Sequence, residues 1–121
     1  MRKRNEFVEH LLELLDAFGD VEAKAMFGGY GIYRHGIMFG LVADDVFYLK
    51  VDEHNVDSFE ERELQPFTYE KRDRTVALSF YEAPDDAIES PHEMLAWAQG
   101  SFDAALRAVK KKKGGRRTTR N

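Results

Sequence analysis

The chain has 121 residues, enough for one domain that hides roughly two-thirds of the surface its unfolded form exposes. Hydrophobic residues at 43% and charged residues at 33% exclude a disordered chain, no apolar run reaches the ~20 residues of a membrane span, and the lack of cysteine excludes disulfides, thiolate metal sites and thiol catalysis. The net charge of −4 is unevenly spread: "KKKKGGRRTTRN", from Lys110 to Asn121, holds seven of the 18 Lys and Arg and no acid, leaving 11 against 22 Asp and Glu in residues 1–109.

The basic start "MRKRNEF" is followed by "VEHLLELLDAF", which is amphipathic and acidic. A secretory signal needs an uninterrupted apolar stretch, so none is read and a cytoplasmic location is expected. Phe7, Leu11, Leu14, Leu15 and Phe18 recur at helical spacing, predicting a helix over about 5–18 with Asn5 as its cap and Gly19 at its end. Lys24 to Tyr33 reads as one extended strand containing Gly28, Gly29 and Gly31. "RHG" then turns into a strand over 37–42, and "ADD" turns into another over 46–51, as antiparallel neighbours. "DEHNVDSFEEREL" reads as a short helix capped by Asp52, with Val56 and Phe59 inward and Pro66 beyond it. Residues 67–71 and 75–81 form a last strand pair linked by "RDR". Ser90, Pro91 and Glu93 form a capping box with proline at the first helical position. The helix they open carries Met94, Leu95, Ala98, Phe102, Ala105, Leu106 and Val109 on one side and is expected to stop at Gly114-Gly115.

This order predicts an α+β fold: a meandering antiparallel sheet of about five strands, with the N- and C-terminal helices packed on one face. Residues 1–109 form the domain, and residues 110–121 form a basic, disordered tail. Period-two alternation assigns Ile37, Phe39 and Leu41, then Phe47, Leu49 and Val51, then Val76, Leu78 and Phe80, to the face under the helices. The complementary sets are Met38, Gly40 and Val42; Val46, Tyr48 and Lys50; and Ala77, Ser79 and Tyr81. That second face is small-sided and rich in tyrosine rather than charged. Tyr33, Met38, Tyr48 and Tyr81 are therefore the candidate surface for a protein partner or a homodimer. The alternative is an ordinary exposed sheet face with aromatic cross-strand pairs.

No catalytic or cofactor signature emerges. The glycine cluster fits neither a Walker loop nor a dinucleotide fingerprint, because Arg34 stands where the last glycine belongs and the chain continues as strand, with no helix N-terminus to offer N–H donors. Glycine as a bulge or kink former is the reading adopted. His10, His35, His54 and His92 show no metal-ligand spacing. Asp44-Asp45 and Asp85-Asp86 sit where aspartate bonds local backbone, Ser58, Ser79, Ser90 and Ser101 lack a nucleophile-elbow context, and Trp97 reads as core-edge packing. No catalytic, cofactor or metal residue is assigned. Lys110, Lys111, Lys112, Lys113, Arg116, Arg117 and Arg120 are a candidate nucleic-acid arm. With no aromatic residue to stack on bases, such an arm gives only non-specific, salt-sensitive attachment. Favourable interaction with a helix C-terminus is the alternative.

The stretches "MFGGYGIYRHGIMFGLVADDVFYLKVD" and "PFTYEKRDRTVALSFYEAPDDAIESPHEMLAWA" resemble the N-terminal domain of the TfoX/Sxy competence-regulator family. The likeness runs from the first helix through Ala108, and its most specific part is Met26-Phe27-Gly28-Gly29 with Gly31. It implies an α+β domain with a meandering antiparallel sheet and a non-enzymatic role in transcription regulation. Family members with known roles act as positive regulators of DNA-uptake genes beside a cyclic-AMP receptor-type transcription factor, so transcription machinery is the implied partner and no membrane is involved. The longer regulators add a C-terminal domain, where this chain ends in its basic tail.

Overall fold

The computed structural model describes residues 5–26 and 28–118, with side chains described as far as Lys112. Helix α1 (Glu6–Leu14) starts where Asn5 accepts the N–H of Val8 through its side chain at 3.0 Å. Val8, Leu11 and Leu14 form its buried side, and a single 3₁₀ turn, Asp16–Phe18, carries the chain to Gly19. Six strands follow in one antiparallel sheet: β1 (Val21–Met26), β2 (Gly29–Arg34), β3 (Ile37–Ala43), β4 (Val46–Lys50), β5 (Pro66–Lys71) and β6 (Arg74–Glu82). Their spatial order is β1-β2-β3-β4-β6-β5. Between β4 and β5 lies α2 (Val56–Glu60), and after β6 come α3 (Asp85–Glu89) and α4 (Pro91–Thr118).

The sheet has one strand more than expected because Lys24–Tyr33 is not a single strand. Met26 pairs with Gly29, so the chain reverses there, and Gly28 occupies the left-handed region at φ +81°. Gly28 is thus a hairpin residue rather than a strand kink. The next hairpins are tight for the same reason. Arg34 pairs with Ile37 around His35 (φ +53°) and Gly36 (φ +78°), and Ala43 pairs with Val46 around Asp44 (φ +51°) and Asp45 (φ +60°). Turns with both central residues at positive φ match the twist of the strands they join.

The bulge expected near the glycines lies instead between β2 and β3. Ile32 pairs with Gly40 and Tyr33 with Met38, which leaves Phe39 without a partner on β2. One extra residue reverses the alternation beyond it. Phe39 and Val42 both belong to the core cluster, whereas Leu41 does not. Gly40 also faces the core: a Cβ there would stand 2.6 Å from the Phe47 ring. Leu41 and Gly40-Val42 therefore lie opposite to the faces that simple alternation assigns. The β6 assignment also changes. Tyr81 packs against the core, Leu78 is 38% exposed, and Phe80 is buried outside the core cluster beneath the Lys50 ammonium, 5.3 Å from its ring centroid. The register with β4 sets this: Tyr81 stands opposite the core residue Leu49, and Phe80 stands opposite Lys50.

Helices α1 and α4 cover one side of the sheet. Phe18, Phe39 and Phe102 meet edge-to-face at centroid distances of 5.6 to 5.9 Å and join the 3₁₀ turn, β3 and α4. The Arg34 guanidinium closes that cluster, 4.2 Å from the Phe18 ring and 5.0 Å from Phe102, while its Nε–H donates to the Gly19 carbonyl. Helix α4 opens as its capping box predicts, with Glu93 N–H donating to Ser90 Oγ at 3.3 Å. It buries Met94, Ala98, Phe102 and Ala105, and Trp97 packs edge-on against Phe59 of α2 at 5.0 Å. The short helix α2 begins after Asn55 rather than at Asp52. Helix α4 continues past its expected end and includes Gly114 and Gly115. A helical glycine costs about 1 kcal/mol relative to alanine, but it terminates the helix only by turning left-handed.

Gly29 is set by proximity. A Cβ there would run into the Val42 carbonyl oxygen of the neighbouring backbone, which cannot move aside. Gly100, in α4, faces open space. Urea melts should show Gly29→Ala losing about 3 kcal/mol or more, at the upper end of overpacking costs, while Gly100→Ala gains about 0.5–1 kcal/mol.

Candidate functional site

The side of the sheet away from α1 and α4 is uncovered among the described residues, and most of it is apolar. Strand parity places Met26, Tyr33, Met38, Leu41, Ala43 and Tyr48 there. The β5–β6 hairpin gives the surface its shape. β6 pairs with β4 through Phe80, Tyr81 and Glu82, and Val51 N–H donates to the Ser79 carbonyl at the edge of that pairing, so the residues of β6 before Ser79 and β5 form an arm that leaves β4. Phe67, Tyr69 and Leu78 of this arm line a groove of about 800 Å³ together with Met26, Met38 and Leu41. Tyr69 and Leu78 are 40% and 38% exposed. Lys71 is the charged side chain on this lining.

Aromatic contacts fix the arm's base. Tyr48 and Phe67 meet edge-on at 5.0 Å, and Phe67 and Tyr69 stack at 6.4 Å. Burial pushes the Tyr48 phenol above its ordinary pKa of 10.0, and the nearby carboxylates of Glu82 and Asp44 push it further, so it stays a neutral donor. Lys50 shifts the other way: burial lowers its pKa, and Asp52 partly opposes that. Its ammonium donates to Ser79 Oγ at 3.1 Å.

Three of the four expected interaction residues lie on this face. Tyr33 and Met38 are cross-strand partners, and Tyr48 stands opposite Leu41. Tyr81 does not belong with them: it packs toward the core, 5.9 Å from Phe59, and its hydroxyl donates to Glu60 Oε2. The alternation count missed Leu41, Phe67, Tyr69 and Leu78 as groove residues. The signal for the last three was a strand pair, β5–β6, whose large apolar residues alternate with small or polar ones. Of the glycine motif, Met26, Gly28, Gly29 and Gly31 form or flank the β1–β2 hairpin, whereas Phe27 lies outside the described residues.

A second depression of about 800 Å³, between the start of α1 and α3, is lined by Asp45, Glu82, Asp85 and Asp86 with Arg62. Arg62 donates to Asp86 at 3.1 Å, and Asp45 accepts from Asn5 at 2.8 Å, so both contacts are structural. His10 bonds the Ile88 carbonyl and His35 pairs with Asp20; no group of three or more acidic or histidine side chains among the described residues is arranged to hold a metal. Lys110, Lys111 and Lys112 are exposed on α4, and the backbone of Lys113, Arg116 and Arg117 continues that helix. Arg120 lies outside the described residues. Among the described residues no helix is long and apolar enough to cross a membrane.

The sequence pattern of the TfoX N-terminal domain matches residues 13–105, which include all six strands from end to end and the buried part of α4. The chain belongs to the TfoX N-terminal domain family. It is similar to Protein Sxy of Escherichia coli (strain K12), at 27% identity over 95 residues, covering 78% of this chain and 46% of that protein. It is also similar to DNA transformation protein TfoX1 of Aliivibrio fischeri (strain ATCC 700601 / ES114), at 24% identity over 111 residues, covering 90% of this chain and 53% of that one. The chain thus spans about half the length of these curated relatives.

The matched region is fastened at one further point, just beyond its end. Arg107 of α4 holds Asp52, just after β4, through a fork: Nε to Oδ2 at 2.7 Å and Nη2 to Oδ1 at 3.0 Å. These bonds are the main reason the Asp52 carboxyl sits at about 2 rather than 3.8; partial burial acts against them, and the His54 N–H adds to them. A lowered carboxylate pKa stabilises the fold above its unfolded value and is lost as pH falls through the folded one. Asp52→Asn should therefore lose about 1 kcal/mol at pH 7, as part-exposed pairs do. Urea melts in a pH series should show the gap to wild type closing between about pH 4 and pH 2.

Proposed function

We propose that this TfoX-type domain is a non-enzymatic, cytoplasmic regulatory module that works by holding an apolar protein segment in the groove between the sheet and the β5–β6 arm. The observation that carries this reading is the groove itself: a concave apolar surface on the face opposite the helices, floored by Met26, Met38 and Leu41 and walled by Phe67, Tyr69 and Leu78. Extended apolar surface that stays exposed is what interaction sites provide. Aromatic and methionine side chains suit a contact that must mould to its partner. The acidic balance of residues 1–109 supports a protein partner over a nucleic acid, because that charge repels phosphate. The printed name of one relative, a DNA transformation protein, supports a role connected with DNA transformation, and the resemblance to competence regulators makes the transcription machinery the source of the segment in this reading.

Affinity capture from native cells tests the reading. Leu78→Glu places a charge in the groove at an exposed position, and Val109→Glu places one on α4 at a residue of equal exposure outside the groove lining. The partner retained by wild type should be lost by Leu78→Glu, with at least a tenfold drop in recovery, and kept by Val109→Glu. Equal retention by both variants would refute the groove. Loss only on truncation after Lys112 would transfer the function to the basic segment.

A further inference from the structure

We propose that the β1 edge pairs with β1 of a second copy, antiparallel about a two-fold axis at Ala23, to give a continuous twelve-stranded sheet. β1 and β5 are the two edges of the sheet. They differ in what they offer. β5 begins with Pro66, which has no N–H to donate, and its pairing breaks between Pro66 and Thr68. β1 has neither proline nor glycine and pairs with β2 at all six positions without a shift, so its outer row of N–H and C=O groups is straight and unpartnered among the described residues. Such a row is a template for another strand.

Charge selects the partner. Glu22, Lys24 and Met26 lie on the groove face of β1, and Val21 and Ala23 pack toward the core. Lys24 reaches over the Tyr33 ring at 4.9 Å, and neither Glu22 nor Lys24 has a carboxylate-to-cation contact within the described chain. When two β1 strands run antiparallel about Ala23, Glu22 of each stands directly opposite Lys24 of the other, on the same face. Two cross-strand ion pairs form, and Val21 stands opposite Ala25. Centring the axis on Lys24 sets lysine against lysine, and centring it on Glu22 sets glutamate against glutamate. A shift by an odd number of residues puts groove-face side chains opposite core-face ones. One register therefore satisfies charge and face together. A lone edge lysine repels another copy; Glu22 two residues before it makes the edge self-complementary.

The geometry has a consequence for the groove. Antiparallel pairing about an axis normal to the sheet leaves both groove faces on the same side. Met26 belongs to both β1 and the groove, so the two grooves flank the new junction. The pairing rests on β1 alone and stands whatever occupies the groove.

Sedimentation equilibrium on the full chain tests it, with circular dichroism confirming the fold of each variant. Wild type should dimerise, and Lys24→Glu and Glu22→Lys should each weaken the dimer on the order of tenfold by setting like charges opposite. An equimolar mixture of the two variants should associate again, because each then faces the opposite charge, and the double variant E22K/K24E should return to wild-type affinity. A wild-type chain that stays monomeric at every concentration overturns the proposal. So do single variants that dimerise as wild type does, or a mixture and a double variant that fail to recover.

Discussion

The single extra residue in β3 decides what each side of this sheet is for. Without it, period-two alternation would run unbroken from Ile37 to Ala43, with Leu41 under the helices and Val42 facing out. Because Phe39 has no partner on β2, Phe39, Gly40 and Val42 all face the helices. Phe39 then meets Phe18 and Phe102 edge-to-face, which docks α4 across the sheet. Gly40 leaves room for the Phe47 ring, and Leu41 is released to the groove beside Met38. The aromatic core and the apolar outer face are two results of one local irregularity. Bulges beside functional surfaces commonly re-aim side chains in this way.

Much of the architecture was written in local chemistry. The cap at Asn5, the capping box at Ser90, and the turns at His35-Gly36 and Asp44-Asp45 each involve a few neighbouring residues, so sequence alone located them. The α+β class followed from their order. What sequence concealed depends on contacts between strands. Glycine at 28, 29 and 31 fits both a hairpin and a kinked strand; the choice lies in the pairing of Met26 with Gly29. Phe39 looks like any alternating residue until β2 is laid beside β3. Alternation within β6 could not say which of its two sets faces the helices; that is decided by the pairing of Tyr81 with Leu49 on β4. Alternation put Tyr33, Met38 and Tyr48 on the outer face, and strand pairing sets them there too, but of these only Met38 lines the groove; the arm residues Phe67, Tyr69 and Leu78 became visible only once β6 was seen to leave β4.

The two edges complement this picture. The β5 edge is blunted by proline and by a break in register, and its hairpin is diverted to shape the groove. The β1 edge is regular and carries opposite charges two residues apart. A family whose curated relatives are about twice as long has, in this chain, a unit with one shaped face and one pairing-ready edge. The acidic surface of residues 1–109 and the basic stretch from Lys110 along α4 separate the chain electrostatically into two regions, with the fork between Asp52 and Arg107 fastening the helix just before the charge changes sign.

The division of the sheet by the β3 bulge is tested most directly by comparing two adjacent substitutions, Leu41→Asp and Val42→Asp, in equilibrium unfolding. Both residues are buried, at 5% and 3% exposure, and they have similar chemistry, so only the direction of the side chain separates them. The account predicts that Val42→Asp, which sets a charge in the helix-covered core, abolishes cooperative folding, while Leu41→Asp still unfolds cooperatively because its charge reaches the open groove. The reverse order, with Leu41→Asp the unfolded variant, would contradict it.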